Sequence, residues 1–333
     1  MRFPFRQTIS VAKYIYSQKN KGTKRFPLVL MLEPLHACNL KCSGCGRIRE
    51  YKDVLSKMLS LDDCIKASDD CNAPVVSICG GEPLLYPHII KLVDQLLKKG
   101  RVVYLCTNGQ ILKDKLPLFQ PHHMFNINVH LDGLKQTHDI VVEKSGAFDK
   151  AMEGIKEALK LGFTVCTNTT IYKQTDVKEI KSFIKEVGQV GVNGILLSPG
   201  YSYEDVDDQS IFLTQEESIN IFRQISKETK GKKVWSTPLY LDFLEGKREL
   251  DCTPWGNVTY NVKGWKAPCY LITDKHFDSY SDFITSVDWN NYGPQKDKRC
   301  RHCMVHSGFE ATVALKAGAS IKDALRMAMW TFL

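Results

Sequence analysis

The sequence predicts an α/β fold, a partial (β/α)6 TIM-like barrel with a smaller irregular C-terminal domain. Three observations carry that expectation. From Pro27 onward short β-rich runs alternate with longer helical patterns. Each run ends in polar or glycine-rich residues, where parallel α/β architectures collect their chemistry. After residue 210 the alternation weakens into a stretch that holds four cysteines and most of the tryptophans.

The strand candidates are 28–34, 74–80, 102–108, 125–132, 163–171 and 194–200. Helical patterns at 60–70, 87–99, 148–161 and 177–187 separate them, and Ser60 and Asp63 form a capping pair at the first. Strands alternating with helices pair in parallel through crossovers, and six such units leave a barrel open on one side. The strand ends place Cys38, Gly80 to Glu82, Cys106 to Asn108, Asp132, Asn168 to Thr170 and Ser198 to Gly200 around one mouth. Residues 27–210 thus form the core and 211–333 the C-terminal part, with a helix over 214–227 and an amphipathic one near the end.

The 333 residues are 43% hydrophobic and 25% charged, ordinary values for a folded globular chain. No run approaches the roughly 18 apolar residues of a membrane span, and the N-terminus lacks the pattern of a secretory signal. A cytoplasmic location is expected. Residues 1–26 carry Arg2, Arg6, Lys13, Lys19, Lys21, Lys24 and Arg25 ahead of any acidic residue, interleaved with Phe3, Phe5, Ile9, Val11, Tyr14 and Ile15. This basic amphipathic segment suits either an anionic membrane surface or packing on the barrel.

Twelve cysteines in such a chain read first as metal ligands or reactive thiols. Cys64 and Cys71, among helical residues without ligand spacing, read as small buried hydrophobes. Cys38, Cys42 and Cys45 follow the first strand as Cys-x3-Cys-x2-Cys. Three thiolates on one short loop hold three irons of a cubane and leave the fourth open; with His36 nearby, a zinc knuckle is the competing reading. At the next strand end stand Gly80, Gly81, Glu82 and Pro83. There glycines permit close approach to a ligand and a carboxylate can hold an ammonium group.

The cysteine loop followed by Gly-Gly-Glu-Pro resembles the radical S-adenosylmethionine (radical SAM) superfamily. The resemblance implies a 4Fe–4S cluster on the three cysteines and S-adenosyl-L-methionine bound by its open iron. Asn108 would hydrogen-bond the ribose, Asp132 would face the cofactor, and Ser198 is a candidate for the methionine carboxylate. Gly44 departs from the usual aromatic residue before the last cysteine, which predicts weaker shielding of the adenine.

The segments KRFPLVLMLEPLHACNLKCSGCG, NAPVVSICGGEPLL, NVHLDGLKQTHD, DCTPWGNVTYNVKGWKAPCYL and CRHCMVHSGFE, within residues 24–315, resemble the adenosylhopane synthases of hopanoid biosynthesis. That resemblance implies addition of the deoxyadenosyl radical to the double bond of diploptene, a hopene lipid. S-adenosylmethionine is then a consumed co-substrate, and an electron donor such as flavodoxin or ferredoxin is a partner. An insoluble substrate also favours peripheral association with the inner face of the membrane, and no nucleic acid is expected.

Radical addition to a methylidene group leaves a carbon radical that needs a hydrogen atom, and a thiol is a soft donor. Cys106, at the end of the third strand, is the candidate catalytic donor, with Cys166 behind it. Cys252, Cys269, Cys300 and Cys303 could hold zinc or an auxiliary cluster, or be unliganded. An auxiliary cluster would suit the alternative reading, a SPASM-type peptide-modifying radical enzyme. Trp235, Tyr240, Phe243, Trp255, Tyr260, Trp265 and Tyr270 suit either an apolar substrate pocket or a local core.

Overall fold

The computed structural model describes residues 5–229, 234–318 and 320–332; Arg2 and Phe3 of the basic segment lie outside them. The six expected strands are present as β1 (Val29–Glu33), β2 (Val75–Ile78), β3 (Val102–Thr107), β4 (Phe125–His130), β5 (Thr164–Ile171) and β6 (Gly194–Pro199). They pair in parallel, in chain order. The intervening helices include Leu61–Cys71, Ile89–Lys98, Ala147–Lys160 and Val177–Val190. Ser60 caps the first: its Oγ accepts from Asp63 N at 3.0 Å and donates to the Asp63 carboxylate at 2.7 Å.

Strand alternation sorts the residues into two faces. Leu30, Leu32, Val76, Ile78, Val103, Leu105, Ile127, Val129, Ile195 and Leu197 pack outward in the main hydrophobic core. Their neighbours Met31, Ser77, Cys79, Cys106, Asn128, His130, Leu196 and Ser198 turn inward and line a cavity. A closed TIM barrel fills its interior with side chains; this open one keeps room for ligands.

The C-terminal part does more than the sequence indicates. β7 (Asn257–Asn261) adds in parallel to the free edge of β1, and β8 (Gly264–Pro268) and β9 (Thr273–Phe277) follow antiparallel. Among the described residues the sheet therefore has nine strands, in the order β6-β5-β4-β3-β2-β1-β7-β8-β9. Tyr240, Phe243, Trp265 and Trp289 join the same core as the barrel helices, so residues after 210 are continuous with the barrel in packing. Of the seven aromatics offered as a substrate pocket, only Tyr270 lines the large cavity. Trp235, Tyr240, Phe243 and Trp265 are buried structural core.

The opposite end of the barrel is covered by the helix Phe5–Asn20. Its one buried residue, Gln7, donates to His123 O at 2.9 Å and Asn126 Oδ1 at 3.1 Å, and accepts from Tyr104 Oη at 3.4 Å. Tyr14 and Ile15 pack beside Phe26 and Leu28, whereas Phe5 and Tyr16 are exposed. Among the described residues no helix is long and apolar enough to cross a membrane.

A buried charge network joins the added strands to the cysteine loop. Arg47, on the helix Arg47–Glu50 directly after that loop, sits 3.5 Å from Glu33 of β1 and 3.2 Å from Glu50. Glu50 accepts two bonds from Lys266 of β8, at 3.0 and 3.1 Å, and one from Thr273 of β9. Asn261 of β7 donates to Glu33 at 3.1 Å. Burial lowers Lys266 to about 8, with Arg47 adding to the effect and the two carboxylates opposing it. Breaking such a set from one side strands a buried cation. Glu50→Gln should therefore lower stability by about 3–5 kcal/mol in urea unfolding, and adding Lys266→Met should recover much of that loss.

Candidate functional site

The C-terminal ends of β1 to β6 surround a cavity of about 440 Å³, within the range of ligand pockets. Cys38, Cys42, Cys45, Gly80, Gly81, Glu82, Cys106, Asn108 and Ser198 all line it. Of the eleven sequence candidates, the two that do not reach the wall are Pro83 and Asp132. Pro83 is buried as the first residue of a single 3-10 turn. Asp132 lies behind His130: its Oδ2 is 2.8 Å from His130 Nε2, and its Oδ1 accepts from Thr170 N at 2.7 Å. Asp132, expected to face the cofactor, meets the cavity wall here through His130. Burial works against protonation of His130, but the Asp132 carboxylate outweighs it and raises the imidazole above its usual range.

Gly80 and Gly81 serve first to bring two backbone segments together. Gly80 has φ +102°, and a Cβ there would stand 2.5 Å from Leu35 O; at Gly81 it would strike the Ala37 carbonyl. Without side chains the segment hydrogen-bonds the entry to the cysteine loop, Gly81 N to Leu35 O at 3.0 Å and Glu82 N to Ala37 O at 2.9 Å. The close approach predicted toward a ligand is made toward the chain's own loop.

Glu82, on the cavity wall, is held by neighbouring protein donors. Its Oε1 accepts from Thr107 Oγ1 at 2.8 Å and Leu84 N at 3.0 Å, and its Oε2 accepts from Asn108 N at 2.8 Å. With 1% of its surface exposed, the carboxylate ties β2 to β3 and is already occupied by protein donors. Burial still raises it above the usual carboxylate range, those three bonds opposing the shift. Asn108 is likewise directed at the loop: its Nδ2 donates to Asn39 Oδ1 at 2.7 Å and lies 3.7 Å from Cys38 Sγ.

The donor set fits an iron–sulfur cluster better than a zinc knuckle. Three thiols face one cavity, while His36 is fully buried elsewhere, stacked on Tyr51 at 3.9 Å and 4.0 Å from Glu33. His36 therefore supplies no fourth ligand. Burial raises the Cys38 thiol to about 11, with the Leu40 backbone N–H and Asn108 pulling it back. A metal centre would supply the charge that holds these sulfurs as thiolates.

The missing aromatic at position 44 is replaced from elsewhere in the fold. A Cβ on Gly44 would run into the hydroxyl end of Tyr172, and one on Gly46 into the Tyr203 ring. Tyr172 stands just past β5 and borders the cavity with Tyr201, Tyr203 and Tyr270. Tyr270 was among the aromatics offered for a pocket; sequence reasoning missed Tyr172, Tyr201 and Tyr203, because nothing local to them marks which loop they will cover. It also missed Arg47, whose guanidinium lies 4.1 Å from the Tyr270 ring centre and 5.5 Å from that of Tyr203. Arg47 Nη2 meets no acceptor among the described residues, and the side chain borders the cavity.

Cys106 lies on the cavity wall, its Sγ 3.2 Å from Ser77 Oγ and 3.6 Å from Asn128 Nδ2. Burial raises its pKa, partly offset by those two contacts; the thiol accordingly keeps its proton at neutral pH. Cys166 shares the inward face but is fully buried, hydrogen-bonded to Asn128 Oδ1 at 3.4 Å, and does not reach the wall. Cys79 does reach it, a thiol that the sequence did not single out.

The Gly44 and Tyr172 pair yields a test. Gly44→Ala should displace the tyrosine and lower the thermal unfolding midpoint by several degrees. Tyr172→Ala in the same chain should restore part of the loss, a coupling of about 0.5–3 kcal/mol between touching residues.

Comparison with known proteins agrees with this geometry. Residues 32–187 match the family model described as the Radical SAM superfamily, and residues 195–327 match a domain of unknown function, DUF3463. A GTP 3',8-cyclase of Clostridium perfringens is 28% identical over 154 residues, 44% of this chain and 47% of that protein, so the chain spans about half of it. A probable GTP 3',8-cyclase of Saccharolobus islandicus is 28% identical over 73% of this chain and 82% of its own. The AdoMet-dependent heme synthase of Methanosarcina barkeri is 28% identical over 67% and 66%. Among solved structures, Streptococcus suis SuiB bound to its precursor peptide SuiA aligns with TM-score 0.66 at 14% identity, covering 88% of this chain and 73% of that one. The AdoMet-bound anSMEcpe aligns with TM-score 0.58 at 16% identity, over 91% and 98%. With the three-cysteine loop and the parallel barrel in place, residues 32–187 carry a Radical SAM domain, whose cofactors are a 4Fe–4S cluster and S-adenosylmethionine.

Proposed function

We propose that this enzyme transfers the adenosyl group of S-adenosylmethionine to the double bond of diploptene, forming adenosylhopane. The observation that carries the reading is a thiol, Cys106, on the wall of the cavity that also holds the three cluster cysteines. When bound, the cluster and S-adenosylmethionine supply a deoxyadenosyl radical after one-electron reduction, with methionine released. Addition to a methylidene carbon differs from hydrogen abstraction in leaving a product radical that takes up a hydrogen atom. In this reading Cys106 gives it. The resulting sulfur radical regains its hydrogen from one electron and one proton, so each turnover uses two electrons from a flavodoxin- or ferredoxin-type donor.

Other residues take supporting roles in this reading. Cys38, Cys42 and Cys45 hold the cluster, while Gly80, Gly81, Glu82 and Pro83 fix its loop. Asn108 and Asp132 act through Asn39 and His130, and Ser198 and Arg47 border the place for the methionine carboxylate. The apolar inward residues Val29, Met31, Val75 and Leu196 suit a hydrocarbon without charged groups. Ile321, Leu325 and Met329 are exposed at helical spacing, which with the basic helix Phe5–Asn20 favours contact with a membrane surface.

Anaerobic reconstitution with diploptene, S-adenosylmethionine and a reductant should give adenosylhopane by mass spectrometry; in heavy water it should carry one deuterium, because the thiol exchanges with solvent. Cys106→Ala should abolish most of that product, while Cys79→Ala should leave it. Unchanged yield and labelling in Cys106→Ala would contradict the donor role, and formation of 5'-deoxyadenosine alone would contradict the adenosyl transfer.

A further inference from the structure

Three inward residues stand side by side across the middle of the barrel. The parallel register pairs Cys106 of β3 with Asn128 of β4, and Asn128 with Cys166 of β5. Ser77 of β2 approaches the Cys106 sulfur from the other side, and from one inward step nearer the strand starts, since its own partner on β3 is Tyr104. We infer, on the adenosyl-transfer reading, that Ser77, Asn128 and Cys166 are positioning residues. They engage the Cys106 sulfur so that its S–H points into the cavity, toward the carbon radical it quenches.

Hydrogen-bond capacity fixes the direction. A thiol sulfur carries one hydrogen and two lone pairs, so two donors on the lone pairs leave the hydrogen one way to point. Asn128 Nδ2 donates to Cys106 Sγ at 3.6 Å, within reach for the larger sulfur atom. Ser77 Oγ stands 3.2 Å from the same sulfur and meets no other hydrogen-bonding group among the described residues. A hydroxyl is a stronger donor than a thiol, so the serine proton goes to the sulfur. Both contacts work against the effect of burial on the thiol, as donors aimed at sulfur do. With β2 and β4 supplying these neighbours, the direction left to the S–H is the cavity, which Ser77, Cys106 and Asn128 all border.

Cys166 decides which end of the Asn128 amide faces Cys106. Its Sγ donates to Asn128 Oδ1 at 3.4 Å, and it is fully buried behind the wall. Turning the amide over would make Oδ1 accept the Cys106 hydrogen and draw it along the sheet, away from the cavity. The Cys166 S–H would then be a buried donor without an acceptor, which is unfavourable. In the arrangement observed, the one S–H without a protein acceptor is that of Cys106, at the cavity. Two cysteines on either side of one asparagine thus take different parts: Cys106 gives the hydrogen, and Cys166 holds the amide that aims it.

The step balances as a hydrogen-atom transfer. The Cys106 S–H bond breaks, a C–H bond forms on the carbon left radical by adenosyl addition, and a thiyl remains on sulfur. One electron and one proton from the flavodoxin- or ferredoxin-type donor and solvent restore the thiol. The Ser77 and Asn128 donors stay on the sulfur throughout and favour its reduction, because they stabilise the negative charge that the electron brings.

The test uses the full chain with its cluster reconstituted, and has one arm without substrate and one with it. Without substrate, the pH midpoint for alkylation of Cys106 is read on its own tryptic peptide, residues 102–113. Ser77→Ala and Asn128→Leu should each raise that midpoint by about one unit, or about tenfold slower alkylation at neutral pH. With substrate, adenosylhopane formed per methionine released should fall about tenfold in both variants. Cys166→Ser keeps a donor to Asn128 Oδ1 but has no weak S–H bond to give. It should hold the product ratio within about twofold of wild type, whereas Cys166→Ala should lose it. An unmoved midpoint in Ser77→Ala would overturn the inference, and this smaller change carries the test if Asn128→Leu fails to fold. A Cys166→Ser chain that fails as Cys106→Ala does would overturn it as well, by making Cys166 a second hydrogen donor. If the wild-type chain forms no adenosylhopane, adenosyl transfer itself fails, and the alkylation midpoints still decide whether Ser77 and Asn128 hold the sulfur.

Discussion

Arg47 is the residue on which most of the arrangement turns. It follows the cysteine loop by two positions, yet its guanidinium is buried among Glu33 of the first strand, Glu50 of its own helix and the faces of Tyr203 and Tyr270. A buried cation is costly unless it is paired, so each neighbour is constrained to remain. Glu50 in turn needs Lys266, which brings β8 to the cysteine loop. The chemistry-bearing loop is thereby braced by charges contributed from both ends of the sequence. An aspect of this brace is that it would be weak on the surface, where exposed ion pairs contribute about 0–1 kcal/mol; its strength comes from the lack of water.

The same loop shows how a local gap in the motif is filled by the tertiary fold. Gly44 and Gly46 have no side chains, and Tyr172 and Tyr203 occupy the vacated space. Glu82 behaves comparably: a residue that looks like a ligand by its position is consumed in binding Thr107, Leu84 and Asn108. The cavity then owes its polar edge to Asn108, Asn128, His130 and Ser198, and its apolar body to Val29, Met31, Val75 and Leu196.

How legible all this is from sequence depends on how local the cause is. The barrel strands are legible because parallel strands with covered faces need apolar alternation and polar ends, and β1 to β6 fall within one or two residues of the expected spans. Cys38, Cys42, Cys45 and Cys106 are legible because their place relative to a strand end is a local property. β7 is not: Asn257–Asn261 reads NVTYN, a polar run whose burial depends on Glu33 meeting Asn261 across the sheet. The convergence of Cys252 and Cys269 with Cys300 and Cys303 is equally hidden, since it follows from how β7 and β8 join the barrel edge. The aromatics after 230 were open between pocket and core, and the structure places most of them in the core.

The central claim is that a protonated thiol on β3 stands where the adenosyl group reacts. An anaerobic crystal structure of the reconstituted enzyme with S-adenosylmethionine bound measures that most directly. The account predicts Cys106 as the nearest thiol to the adenosyl 5' carbon, with Tyr172 beside the cysteine loop and Arg47 still held by Glu33 and Glu50. A 5' carbon closer to Cys79, or separated from Cys106 by protein side chains, would contradict it.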